Sequence, residues 1–305
     1  MDLVPESNFT STVPTPTPKP DTSDIAELRR LAVHLAETAA AHVRARRPEV
    51  FGPGAQADDA VQSKSTPTDP VTIVDTETEA LVRRMVAELR PGDRVVGEED
   101  GGSLADDPDL VHWVVDPIDG TVNFVYGIPS YSVSVAAVRG GVSVAGAVTD
   151  VAHAVTYSAG LGQGAHRAEA GLEPIRLRAN PVDTLEMALV ATGFAYATDR
   201  RIRQGELVAR VLPHIRDIRR FGSAALDLCA VAQGRTDAYY EHGLNLWDWA
   251  AGALIAAESG VRLILPGPDS PGTAGELVAA AAPGIADELF GLFERTDVTA
   301  PIALG

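Results

Sequence analysis

The sequence predicts a protein of mixed α and β structure (α+β and α/β), with an antiparallel sheet plus helices in its first half and an α/β layer in its second. Three observations lead there. Residues 131–168 follow a β-rich alternating pattern, and from Asn180-Pro181 onward helical stretches alternate with short strands. A chain of 305 residues with 45% hydrophobic content can also bury a core large enough for two domains or subdomains.

Residues 1–23 are rich in Pro, Thr and Ser and poor in apolar groups, so they read as a flexible tail. No basic start precedes an apolar segment, and no run approaches membrane-spanning length, so neither a secretory signal nor a membrane span is expected. Asp24 is placed to cap a helix whose apolar residues Ile25, Leu28, Leu31, Leu35 and Ala39 recur on one face, ending at Arg46-Arg47-Pro48. Residues 52–60 form a loop, Val71 to Val74 a short strand, and Asp75, Glu77 and Glu79 open a second helix that Pro91-Gly92 stops after Leu89. Negative charge at a helix start is favourable by roughly 0.3–1 kcal/mol, which accounts for Glu77 and Glu79 without any chemistry. For Asp75 a structural and a functional reading carry equal weight.

The sequence then concentrates polar groups at element ends. Strand-like Val95-Val96 leads into Gly97-Glu98-Glu99-Asp100, and the apolar run Trp113-Val114-Val115 reads as a buried strand. Just past that run, Asp116, Asp119, Gly120 and Thr121 crowd into six positions, with Pro117 stiffening the backbone and Gly120 permitting a tight turn. A lone Asp-Gly would be an ordinary surface turn. Two carboxylates this close repel each other unless a cation lies between them. If a helix begins after Asp119, the backbone N–H groups of Gly120 and Thr121 face outward at its positive end, ready for phosphate oxygens.

Further along, Arg139-Gly140-Gly141 marks a hairpin turn, and Gly160, Gly162 and Gly164 lack phosphate-loop spacing, so they read as a second hairpin connection. Strands follow at Met187–Ala191, Ile215–Ile218, Ala238–Tyr240 and Val261–Leu265. Helices are expected at Gln204–Leu212, from Phe221-Gly222-Ser223-Ala224 onward, from Trp247-Asp248 to Gly260, and from about Ile285. Ser223 suits an N-cap. Trp247 and Trp249 read as packing residues.

The net charge of -17 opposes attraction to nucleic acid or anionic membrane, and would equally repel a phosphorylated substrate unless bound cations invert the local field. Carboxylates and backbone carbonyls are the ligands hard cations prefer, and the seven scattered histidines and single cysteine point to Mg²⁺ over zinc. Cys229 falls on the apolar face of a helical pattern and reads as inert packing in a reducing compartment. Only Lys19 and Lys64 are lysines, so Lys64 is the one lysine of the expected folded part, a compact ammonium where arginine is otherwise used.

GEED at 97 to 100, DPIDGTVNF at 116 to 124 and WDWAAG at 247 to 252, together with KSTPTDPVTIVDTETE at 64 to 79, resemble the inositol monophosphatase family over about residues 24–296. That resemblance implies a layered αβαβα sandwich of the inositol monophosphatase and fructose-1,6-bisphosphatase type, with the site between its halves. Residues 24–180 would carry the main metal motifs, residues 181–296 Asp248 and the specificity residues, and 297–305 a closing tail. It implies two to three Mg²⁺ ions. Glu98, Asp116 and the Ile118 carbonyl would hold one, Asp116, Asp119 and Asp248 another, and a weaker third would lie near Glu98 and Lys64.

By the same resemblance Asp75, Glu98 and Thr121 serve the attacking water. Glu98, Ile118, Asp119, Gly120, Thr121, Gly222, Ser223, Ala224, Glu241 and Asp248 contact the substrate, with Glu241 taking the ring hydroxyls of inositol. The expected protein is a cytoplasmic, homodimeric, lithium-sensitive Mg²⁺-dependent phosphatase acting on myo-inositol 1-phosphate. Alternatives are the same chemistry on fructose 1,6-bisphosphate, histidinol phosphate or 3′-phosphoadenosine phosphate, or a binding role beside the transcription machinery, known for some bacterial relatives. The tail at 1–23 departs from the family pattern and leaves a regulatory attachment open.

Overall fold

The computed structural model describes residues 22–52, 61–63, 70–104 and 107–304. The expected tail up to Asp21, the loop at 53–60 and Lys64 lie outside the described residues. Helix α1 (Thr22–Phe51) outruns its predicted bounds at both ends, so Thr22 and Ser23 belong to it and not to the tail. Pro48 sits inside its last turn, where the missing N–H forfeits only the bond back to residue 44. Buried Val50 and an edge-on contact of Phe51 with Phe124, 5.5 Å between ring centroids, hold that turn in place.

Strands β1 (Val61–Ser63) and β2 (Pro70–Thr72) pair antiparallel. The strand expected to reach Val74 stops at Thr72, because Thr72 caps helix α2 (Ile73–Leu89). Val74 N donates to Thr72 Oγ1 at 3.2 Å and Thr72 N donates to Asp75 Oδ2 at 2.9 Å, a reciprocal pairing that draws Ile73 and Val74 into the helix.

Seven strands then form one sheet in sequence order: β3 (Arg94–Gly97), β4 (Val111–Asp119), β5 (Ser132–Arg139), β6 (Val142–Asp150), β7 (Val155–Gly160), β8 (Gly164–Glu169) and β9 (Ile175–Arg176). The short helix α3 (Thr121–Tyr126) follows β4, and all pairings are antiparallel except β3 with β4. Both predicted hairpins are present. Gly140 and Gly141 take φ of 55° and 75° between β5 and β6, and Gly162 and Gly164 turn the chain between β7 and β8. Both faces of the sheet are covered: Val111, Trp113 and Val115 of β4 pack toward α1 and α2, while Val114 packs into the core on the other side. Burial on both faces explains why these strands read as continuous apolar runs.

The second half contains β10 (Leu189–Thr192), α4 (Thr198–Val211), β11 (Asp217–Arg219), α5 (Ala224–Ala232), β12 (Ala238–His242), α6 (Leu246–Glu258), β13 (Arg262–Ile264), β14 (Leu277–Ala281) and α7 (Ala286–Arg295). Its five-stranded sheet runs β11-β10-β12-β14-β13, parallel through the first three and antiparallel through the last two pairings. Two predicted strands begin two residues late, since Leu185–Met187 is a 3-10 turn and β11 opens at Asp217. Strand β14 was not anticipated. Its sequence, Leu-Val-Ala-Ala-Ala, suits a helix as readily, and sheet pairing on both sides decides the matter.

Three cores stack the layers: α1 and α2 on the seven-stranded sheet, α5 and α6 between the two sheets, and α4 and α7 on the outer face of the five-stranded sheet. This is the αβαβα sandwich. The alanines of α6 suit a helix pressed between sheets: a Cβ on Gly146 of β6 would lie 3.1 Å from the Ala251 Cα. Residues 297–304 are no free tail, for Val298 is fully buried and Ile302 N and Leu304 N donate to the carbonyls of Gly275 and Thr273. Among the described residues, no helix is long and apolar enough to cross a membrane.

Candidate active site

Strand β4 does not stop at Val115 as expected; it runs through both aspartates to Asp119. Its pairing with β5 goes from Asp116 opposite Ser134 to Asp119 opposite Ser132, three steps on one strand against two on the other. One residue is therefore extra, at Pro117-Ile118, where Pro117 has no N–H to offer the ladder. In a regular strand, residues three apart point to opposite faces. The bulge restores the parity, and Asp116 and Asp119 line the same cavity of about 430 Å³. Ile118 N donates to Asp116 Oδ1 at 3.0 Å, so the bulge also orients the first carboxylate.

Two helix starts from the other half meet these acids. Ser223 caps α5 as expected, and its hydroxyl donates to Asp119 Oδ2 at 2.5 Å. Ala225 N and Ala224 N donate to the same carboxylate at 2.8 and 3.2 Å, so an acid of the first sheet occupies the N-terminus of a helix of the second half. Burial nonetheless pushes the Asp119 carboxyl up to about 6 against these donors, with the charge of Glu98 adding to the rise. At α6, Asp248 accepts from Asn245 N at 2.7 Å in its own capping pair. Burial, then the charges of Glu98 and Asp119, raise the Asp248 carboxyl well above the usual carboxylate range.

Asp75 takes part in the cap of α2, as its structural reading has it, and also stands beside Thr121. One oxygen accepts from Thr72 within the cap of α2, and the other lies 3.3 Å from Thr121 Oγ1. The Thr121 hydroxyl also lies 3.0 Å from the Ile118 carbonyl, giving its single proton two acceptors. Burial lifts Asp75 to about 7, opposed by the Thr72 hydroxyl and reinforced by Glu98. Gly120 has φ of 94°, and a Cβ there would meet the Gly222 and Ser130 carbonyls at 2.9 and 3.0 Å. Glycine thus serves the crossing of two chain segments as well as the approach of a ligand.

Glu79 is where helix-start electrostatics proves insufficient. It is fully buried and accepts from Glu99 N at 2.8 Å, Asp100 N at 3.0 Å and the Arg83 guanidinium, clamping the turn that carries Glu98. Glu77 pairs with Arg46 of α1 instead. On the far side of the cavity Glu241 accepts from Tyr239 Oη at 2.8 Å, and burial raises it to about 7. A Cβ on Gly193 would fall 1.8 Å from a Glu241 oxygen, so glycine is required under that carboxylate.

Glu98, Asp116, Ile118, Asp119, Gly120 and Thr121 line the cavity from the first half, and Gly222, Ala224, Glu241 and Asp248 from the second. Asp75 and Ser223 lie behind the wall, in contact with Thr121 and Asp119. Trp249 is packed in the core, but Trp247, expected as packing, also lines the cavity. Reasoning from sequence missed Gly193, Phe194, Arg200, Arg220 and Leu304, which line it as well. A larger cleft of about 580 Å³ along residues 176–183 contains none of the predicted residues.

The donor set is hard: four carboxylates and a backbone carbonyl, with burial and neighbouring acids raising the carboxyls of Asp119 and Asp248. That chemistry suits a divalent cation bound through oxygen. Among the described residues, no three His, Cys, Asp or Glu side chains are drawn together closely enough to hold a metal ion as they stand. Several of these carboxylate oxygens instead accept from nearby N–H groups.

Residues 24–295 match the model of the inositol monophosphatase family. The chain is 56% identical over 289 residues to inositol-1-monophosphatase SuhB of Mycobacterium tuberculosis, covering 93% of this chain and 99% of that one. The solved structure of M. tuberculosis SuhB superposes with a TM-score of 0.75 at 53% identity, covering 89% of this chain and 97% of the other. Nus factor SuhB of Pasteurella multocida is 37% identical over 234 residues, which is 76% of this chain and 85% of that relative.

Proposed function

The chain belongs to the inositol monophosphatase family, and on that premise we propose that it is a Mg²⁺-dependent phosphomonoesterase that hydrolyses myo-inositol 1-phosphate to inositol and phosphate. The observation that carries this reading is the gathering of Glu98, Asp116, Asp119 and Asp248 with Ile118 on one cavity, although they come from both halves of the chain. The reading includes two to three Mg²⁺ ions. Glu98, Asp116 and the Ile118 carbonyl would hold one ion, and Asp116, Asp119 and Asp248 a second. Bound there, the ions supply an acidified water and neutralise charge on the leaving oxygen.

The remaining steps belong to the chain's own groups. With a carboxyl raised to about 7, Asp75 can take a proton near neutral pH, and Thr121, 3.3 Å away, relays between it and the attacking water. The backbone N–H groups of Gly120 and Thr121 receive phosphate oxygens, and no covalent phospho-enzyme is required. Glu241 accepts from ring hydroxyls, beside Gly222 and Ala224. The division of labour is thus metal and phosphate chemistry in residues 24–180 together with Asp248, and leaving-group recognition in the rest of residues 181–296.

Phosphate release from inositol 1-phosphate, fructose 1,6-bisphosphate, histidinol phosphate and 3′-phosphoadenosine phosphate, with and without Mg²⁺, tests this reading. A Mg²⁺-dependent preference in kcat/KM for inositol 1-phosphate is expected. A large preference for another ester, or full activity without a divalent cation, defeats it. The same proposal includes cytoplasmic action, a homodimer, testable by sedimentation, and inhibition by lithium. A second role, binding to the transcription machinery, is favoured by the relative called Nus factor SuhB. Recovery of polymerase factors by an Asp116→Asn variant as efficiently as by wild type would support it.

A further inference from the structure

Arg200, in the first turn of α4, is only 3% exposed, and no carboxylate pairs with it among the described residues. A buried guanidinium without a counter-ion is expensive, so what it does hold is informative. Its Nε donates to the Ile302 carbonyl at 2.7 Å and its Nη2 to the Thr273 carbonyl at 2.9 Å. The planar fork therefore bridges two chain segments that are themselves paired, Ile302 N to Gly275 O at 2.8 Å and Leu304 N to Thr273 O at 2.9 Å. The third nitrogen, Nη1, lies against Gly243, where a Cβ would come within 1.9 Å of it. Nearby, His242 Nε2 donates to the Val298 carbonyl at 2.7 Å.

These contacts fix the segment 298–304 beside the active-site cavity, and Arg200, Thr273 and Leu304 all line that cavity. A hydrogen-bonded path also joins the segment to the catalytic acids. Gly272 N donates to Asn245 Oδ1 at 2.9 Å, and Asn245 N donates to Asp248 Oδ2 at 2.7 Å. Among the described residues, Thr273 and Leu304 add no carboxylate to their side of the cavity. That side is suited to limit the size of the group the phosphate is attached to.

We propose that Arg200 is a positioning residue that sets substrate selectivity by holding the 298–304 segment as a wall of the cavity. The inference rests on the phosphatase reading above. The test compares wild type with Arg200→Met, Arg200→Lys, Leu304→Ala and Leu304→Trp on three esters of increasing size: glycerol 2-phosphate, inositol 1-phosphate and adenosine 2′-phosphate. Hydrogen exchange at the Ile302 and Leu304 amides is followed in parallel. In Arg200→Met these amides should lose protection, KM for inositol 1-phosphate should rise about 10-fold with kcat within about 3-fold, and glycerol 2-phosphate should be unaffected. Arg200→Lys, which keeps the charge but not the fork, should fall between.

Leu304 is more than a third exposed, so its variants should not threaten folding and decide the matter should Arg200→Met fail to fold. Leu304→Trp should lower kcat/KM for the two larger esters, and Leu304→Ala should raise it for adenosine 2′-phosphate. Amides that exchange freely while the ratios between esters stay fixed would show a merely structural arginine and overturn the proposal, as would unmoved ratios in the Leu304 variants. Wild-type protein inert toward every ester overturns the phosphatase reading and this proposal together, whereas active wild type with unmoved ratios overturns this proposal alone.

Discussion

The seven-stranded half and the five-stranded half build the cavity differently. The first supplies its acids from the ends of two neighbouring strands, β3 and β4, so six lining residues arrive in two short stretches. The second supplies Gly193, Gly222, Glu241, Asp248 and Leu304 from separate elements that meet only in the folded chain. A part built from two short stretches is hard to alter piecemeal, which suits the phosphate common to every candidate substrate. A part assembled from scattered segments can change one at a time, which suits a leaving group that differs between them. Asp119 welds the two, standing on the first sheet while satisfying the N-terminus of α5.

If that contrast is right, damage to the first half should be indifferent to the substrate. Asp116→Asn should lower kcat by about 10²–10³-fold on every ester tested, the magnitude typical of losing one preorganised electrostatic group. A loss confined to inositol 1-phosphate would erase the distinction between the halves. Glu79→Gln, which weakens the clamp on the Glu98 turn without touching the cavity, should reduce Mg²⁺ affinity by about 10–100-fold, as read from activity against Mg²⁺ concentration, with activity recovering at high Mg²⁺. In the second half, Glu241→Gln should raise KM for inositol 1-phosphate by about 10-fold and spare small esters without ring hydroxyls.

The smallest effect is on stability. Burial raises Asp75 from 3.8 and Glu241 from 4.5 to about 7 each, so the metal-free folded state keeps protons that the unfolded chain has released. The stability contributed by these two groups is therefore greatest below about pH 4, declines as pH rises from about 4 to about 7, and levels off above that. Thermal melts of metal-free Glu241→Gln across this range should show a shallower decline than wild type. An identical slope would place the titrating burden elsewhere.

The same contrast governs how much could be read from the chain beforehand. DPIDGT announced its acids because they are adjacent, and the hairpin glycines announced their turns because turn chemistry is local. The bulge at Pro117-Ile118 was not legible, since it depends on which residues of β5 stand opposite. Glu79 looked like an ordinary helix-start acid because its partners, the amides of Glu99 and Asp100, lie 20 and 21 residues away. Arg200 and Leu304 carried no local signal at all, for their roles come from tertiary pairing. Glu241 and Ser223 were singled out through family resemblance, and the structure adds that the Ser223 hydroxyl donates to Asp119.

The bulge in β4 also bears on how this segment can drift. Because side chains alternate along a strand, pairing β4 regularly with β5 while keeping three residues from Asp116 to Asp119 would send one of the two acids to the opposite face, into the apolar core beneath α1 and α2. Substitutions there can be graded, but loss of the bulge at that spacing cannot. The spacing of the aspartates should therefore outlast the identity of most residues around them, and a designer grafting this centre onto another sheet would need to transplant the miscount along with the acids.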